Sequence, residues 1–257
     1  MSDNDLQQEQ SPEISISPPG PWKEYQASYP IGLVQAIIWL ALSTMAQMGV
    51  YWLIENEHLT VPTWSPRFGP QVLVMLLFTT ALFLYWKFIR KAGLRSLGLR
   101  LDRLGGDLKF TALAAIGMGL FYLFAAGVYW VVLHGFFDDG DAMFRQHLRG
   151  AIFKDDSVLY FVGVVVLFPI LEEIWFRGLL YTPMRREWGA WASIVILSLL
   201  FAFAHNNAVP INQFFGGMIF AYAYEKRRTL VAPIILHMLG NGALAVVGWA
   251  LVKWQLV

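Results

Sequence analysis

The chain has no cysteine. Disulfides, thiolate metal sites and cysteine nucleophiles are excluded together, and cysteine usage carries no sign of a redox compartment. Charge is scarce as well. Asp, Glu, Lys and Arg make up 14% of the 257 residues, against about 25% in ordinary soluble domains. Hydrophobic residues reach 57%, against about 45–50%. Too few charges remain to dress a soluble surface. Lys plus Arg total 19 and Asp plus Glu 18, and the net charge of +1 gives no reason to expect a nucleic-acid partner. There is no Gly-rich phosphate loop, no evident internal repeat and no His-Glu-x-x-His signature of soluble zinc proteases. Residues 1–30 lack the basic-then-apolar pattern of a signal peptide and read as a polar, flexible tail.

What the sequence does have is long uncharged runs, at 31–54, 68–86 and about 110–133. A fourth begins near Ser157 and meets Glu172 and Glu173. The 37 residues of 188–224 are too long for one helix and divide best at His205-Asn206-Asn207 and Pro210, and a last run covers 229–252. Backbone polar groups in hydrocarbon must be satisfied within the chain, and runs of this length favour helices over barrel strands. The expected architecture is an all-α polytopic membrane protein, with about seven transmembrane helices, or eight, in one bundle over 31–252. Seven basic residues lie in 87–109 and only Arg67 in 53–68. Positive-inside bias therefore places the N-terminus in the cytoplasm and, with seven spans, the C-terminus outside. Leu94, Leu97, Leu101, Leu104 and Leu108 alternate with Arg95, Arg100 and Arg103, a pattern suited to an amphipathic helix lying in the interface.

Polar residues inside these runs are costly in lipid and point to function. Glu172 and Glu173 project about 100° apart on a helix. Glu173 lies four residues before Arg177, the favourable order for an intrahelical ion pair, which leaves Glu172 free to act as a base. His205 closes the fifth run. His237 and Asn241, four residues apart, share a face of the last helix. Two imidazoles and a carboxylate could hold a divalent metal and water, or position a water without metal while His and Asn bind an oxyanion.

Taken in order, Glu-Glu-x-x-x-Arg at 172–177, Phe-x-x-x-His at Phe201 and His205, and His-x-x-x-Asn at His237 and Asn241 resemble the CPBP family. These are intramembrane proteases related to CAAX prenyl endopeptidases and to bacteriocin-processing and immunity proteins. The resemblance covers 157–245 as the catalytic core. It implies an intramembrane endopeptidase of a bacterial plasma membrane that cuts a membrane-associated protein or peptide, with Glu172 activating water. By the same resemblance His205 and His237 are metal-binding or water-positioning partners, Asn241 stabilises the oxyanion, and Glu173 and Arg177 support them. The family is described both as metalloprotease, usually with zinc and here through Glu172, His205 and His237, and as metal-independent. The alternative is a non-proteolytic membrane scaffold or peptide-immunity protein. Neither the oligomeric state nor prenylation of a substrate is legible. A rise of 1.5 Å per residue sets His205 on the order of 20 Å from Glu172 if each run is a straight span. A shared site would then need a deeper start, a strong tilt or a re-entrant connection near 206–210.

Overall fold

A computed structural model describes residues 22–56, 58, 68–140, 142, 161–205 and 211–253. Every regular element among them is helical. A short α1 (Trp22–Ala27) precedes α2 (Leu33–Glu55) and α3 (Phe68–Leu84), which runs on through a wide π-helical turn, Tyr85–Ile89. A single 3₁₀ turn, Leu94–Leu97, leads to α4 (Leu104–Phe136). There follows one helical course, Gly163–Ala204: a wide turn at Gly163–Leu167, α5 (Phe168–Glu173), a second wide stretch at Ile174–Tyr181, and α6 (Thr182–Ala204). α7 (Ile211–Arg227) and α8 (Val231–Lys253) complete the bundle.

The apolar faces turn outward. Val34, Met45, Leu113, Leu123, Phe124 and Phe203 are each at least 66% exposed, which in water would be a liability and in lipid is the expected surface. The interior is built where α5, α6, α7 and α8 meet, with α6 against α7 and α7 against α8 the closest neighbours. A Cβ on Gly217 would stand 3.2 Å from Ser198, so small residues set the α6–α7 spacing.

Three expectations change. Among the described residues five helices, not seven or eight, are long and apolar enough to cross a membrane: Leu33–Glu55, Gly69–Ile89, Leu104–Phe136, Gly163–Ala204 and Val231–Ala250. The fourth and fifth runs form one helical course of 42 residues, and α7 has only 17. That course cannot be one straight crossing, since about 63 Å of helix is twice the hydrocarbon thickness. It folds back at Gly189, whose φ of 78° suits glycine alone without strain. The interfacial helix is absent too. Its pattern is cut at Gly98 (φ 87°), Leu97 is buried in the core, and Leu104 already belongs to α4. Lastly, residues 22–30 are no free tail: α1 is helical, and Tyr29 is 5% exposed.

Candidate active site

Glu172 and Glu173 sit at the end of α5, between the two wide turns. Such turns rotate successive side chains off the regular helical register, and they recur at functional sites. The charges do not end the helix, because Glu173 and Arg177 neutralise each other internally. Arg177 Nη1 donates to Glu173 Oε1 at 2.9 Å with both side chains fully buried, and Nη2 donates to the Gly217 carbonyl at 2.9 Å. The guanidinium lies against Phe201 (4.9 Å), Phe220 (5.5 Å) and Phe176 (5.9 Å), where cation–π attraction is strengthened by the lack of water.

Glu173 also fixes His237. The imidazole Nδ1–H donates to Oε1 at 2.9 Å, and its ring stacks on Phe220 with centroids 4.6 Å apart. With Nδ1 carrying the proton, a neutral His237 turns a bare Nε2 toward Glu172, 3.6 Å from Oε2. His205 repeats the device from α6. Its Nδ1–H donates to the Phe201 carbonyl at 2.7 Å, and its Nε2 stands 3.9 Å from the same Glu172 oxygen. Both tautomers follow from the acceptors, since a carbonyl or carboxylate oxygen can only accept. Two imidazole lone pairs and a carboxylate oxygen therefore face one another. Three acceptors gathered this way need a shared proton, a water or a cation between them.

Access is graded. His237 is 4% exposed, Glu172 18% and His205 29%, so Glu172 and one imidazole meet the outside while the buried Glu173–Arg177 pair lies behind them. Asn241 is one turn beyond His237 on α8. Its amide donates to the Val164 carbonyl at 2.9 Å, in the first wide turn, so one of its two N–H groups is already engaged. The structure thus brings Glu172, Glu173, Arg177, His205 and His237 into a single cluster, with Asn241 tied to the turn leading into it. The 20 Å separation does not occur. The helix continues well past Glu172 before reversing, and Glu172 and His205 lie 17 and 16 residues from Gly189, level with each other on the two arms. The proposed connection at 206–210 lies outside the described residues.

The donor types, two imidazole nitrogens and a carboxylate, are those zinc favours. Among the described residues, however, no group of three His, Asp or Glu side chains is arranged to hold a metal ion.

Two supporting contacts were not read from the sequence. Phe220 has no polar signature, yet it packs against both Arg177 and His237. Asp107, near the start of α4, is fully buried and accepts from Arg227 Nε at 2.7 Å and Thr229 Oγ1 at 2.9 Å. Nothing in the sequence spacing joins Asp107 to a basic loop 120 residues on.

Residues 154–243 match the family described as type II CAAX prenyl endopeptidase Rce1-like. Over 91 residues the chain is 36% identical to the membrane-embedded CAAX protease MroQ of Staphylococcus aureus (strain USA300), covering 33% of this chain and 36% of that protein. Over 89 residues it is 33% identical to an uncharacterized 24.3 kDa protein of Escherichia coli, covering 32% of this chain and 41% of that protein. The match thus spans only about two fifths or less of either relative. No solved structure matches.

Proposed function

We propose that the chain is an intramembrane endopeptidase of a bacterial plasma membrane, cutting a membrane-associated protein or peptide with Glu172 as its base, a reading supported by the match of residues 154–243 to the Rce1-like CAAX protease family. The observation that carries this is the division of labour between adjacent carboxylates. Glu173 is buried and committed to Arg177 and His237. Glu172 makes no short hydrogen bond to either imidazole: 3.6 and 3.9 Å exceed hydrogen-bonding distance. It is partly open to water.

A water held beside Glu172 and the two Nε2 atoms gives up a proton to Oε2 as its oxygen attacks the scissile carbonyl carbon. The C–O bond forms, and the carbonyl electrons move onto oxygen. The second N–H of Asn241 stabilises that oxyanion. The proton on Glu172 then passes to the amide nitrogen as the C–N bond breaks, so the carboxylate is restored. The buried Glu173–His237 bond keeps the imidazole oriented throughout. Chelation tests metal dependence: a metal-requiring enzyme loses cleavage and regains it with zinc, whereas hydrolysis by Glu172 and water alone survives chelation.

The test compares membrane-protein N- and C-termini by mass spectrometry in cells carrying the wild type or Glu172→Gln at equal membrane abundance. The expected result is a set of termini present only with the wild type. Identical termini would favour the scaffold or immunity reading. With five long apolar helices and α7 in the bundle, the positive-inside orientation, with the basic loops in the cytoplasm, is part of the proposal.

A further inference from the structure

The leucine–arginine linker expected to form an interfacial helix is folded into something else. Between the N-terminal segment and the loop after α3 lies an open cavity of about 490 Å³, whose lining among the described residues includes Arg90, Lys91, Arg95, Arg100, Tyr25 and Ser28 and no carboxylate. That volume falls within the range of small-molecule sites. The walls are pre-built. Tyr25 donates to the Ser96 carbonyl at 2.9 Å, Trp86 Nε1 donates to Ser96 Oγ at 2.8 Å, and Ser96 Oγ donates to the Gly93 carbonyl at 2.8 Å. Arg90 is held by the Pro30 carbonyl. Lys91 has a left-handed backbone, φ 51°, a conformation uncommon outside glycine and asparagine, and strain of this kind gathers at functional sites.

The counter-charge is incomplete. Asp102 takes Arg100 at 2.8 Å and approaches Arg95 at 3.8 Å, and the hydrogen bond from Arg100 holds its carboxyl down at about 2. It remains ionised and offsets one of the four cations. Among the described residues no carboxylate pairs with Arg90 or Lys91. Next in sequence to the lining residues Arg90 and Arg100, Phe88 (62% exposed), Ile89 (68%) and Leu101 (73%) leave large apolar side chains outside the core. A basic cavity bordered by exposed apolar groups matches a phosphate attached to acyl chains better than a free solute.

We propose that this cavity is a binding site for a phosphate-bearing anion, supplied by the headgroup of an anionic phospholipid, with Arg90, Lys91 and Arg95 as its ligands and Phe88, Ile89 and Leu101 against the acyl chains. The site is separate from the Glu172 cluster and does not depend on how that cluster works.

The full chain in detergent is titrated, with native mass spectrometry as readout, against phosphatidylglycerol, phosphatidylcholine and inorganic phosphate. Lys91→Asn with Arg95→Gln removes two charges, and Asn tolerates the left-handed backbone at 91. Phosphatidylglycerol adducts are expected to exceed phosphatidylcholine adducts, and to weaken about 25-fold in the double variant, roughly fivefold per basic residue. Competition by inorganic phosphate at equal concentration would assign the site to soluble phosphate and overturn the lipid source. Equal adducts with both lipids, or unchanged binding in the variant, would overturn the site itself. Lys91→Glu, a single exposed position, repeats the test should the double variant fold poorly, with at least a fivefold loss expected.

Discussion

Glu173 rather than Glu172 makes the larger number of contacts, and that asymmetry separates structure from chemistry at the residue scale. One carboxylate oxygen receives both Arg177 and His237, so removing either partner leaves buried charge behind. Arg177→Met should destabilise the protein by about 3–5 kcal/mol, the range for breaking a buried pair, read as a lowered unfolding midpoint of the purified protein. Glu173→Gln keeps the acceptor but weakens the hold on His237. Loss of such an orienting group typically costs 10–100-fold, and the fall should appear in kcat with KM little changed. A proportional loss in the amount of folded protein, with kcat per folded molecule intact, would contradict the orienting role. The sequence made this pair legible, because acid-first spacing of four residues specifies a helical ion pair. It also singled out His205, His237 and Asn241 as polar groups in apolar runs. Phe220 and Asp107 were hidden, because an aromatic among many and an aspartate near a helix start carry no pattern of their own.

Among the described residues, two glycines turn the chain at positive φ. Gly189 has φ 78° with open space around it, whereas a Cβ on Gly98 (φ 87°) would stand 2.9 Å from the Tyr224 ring. Gly189→Ala should therefore cost only the strain of its extended positive-φ backbone (φ 78°, ψ 177°), a region kept almost entirely to glycine, about 1–3 kcal/mol. Gly98→Ala should cost more, because Tyr224 must also move. Thermal unfolding of the two purified variants checks the order, and equal losses would contradict it. Element boundaries explain what the sequence concealed. Charges at 172 and 173 read as a helix end, but a carboxylate neutralised inside the helix ends nothing, and the course runs on to Gly189. The ruler that set His205 far from Glu172 failed for that reason, while the motif order held. The amphipathic linker misled differently, since its leucine spacing was helical but Gly98 forbids continuation.

Across the whole molecule, a helical course that doubles back makes a topological claim. Residues near its reversal should share a side with the basic loop after α3. Since the chain has no cysteine, Glu187→Cys and Lys91→Cys can be introduced singly and labelled with a membrane-impermeant maleimide on intact cells and on opened membranes. Both should label only once the membrane is opened. Labelling of Glu187→Cys alone on intact cells would break the hairpin account. The membrane class and the helical architecture were legible from composition and run length; the number of long helices was not, because a helical course of 42 residues can be one element or two arms.

The central claim is that Glu172 drives peptide-bond hydrolysis. It is tested most directly with the purified full chain in liposomes, given a substrate identified by its wild-type-specific termini, by timing cleavage in a single turnover. Glu172→Gln, inserted in equal amount and with an unchanged unfolding midpoint, should cut at least about 10²-fold more slowly, as expected for loss of a general base. Cleavage by that variant at the wild-type rate would contradict the account.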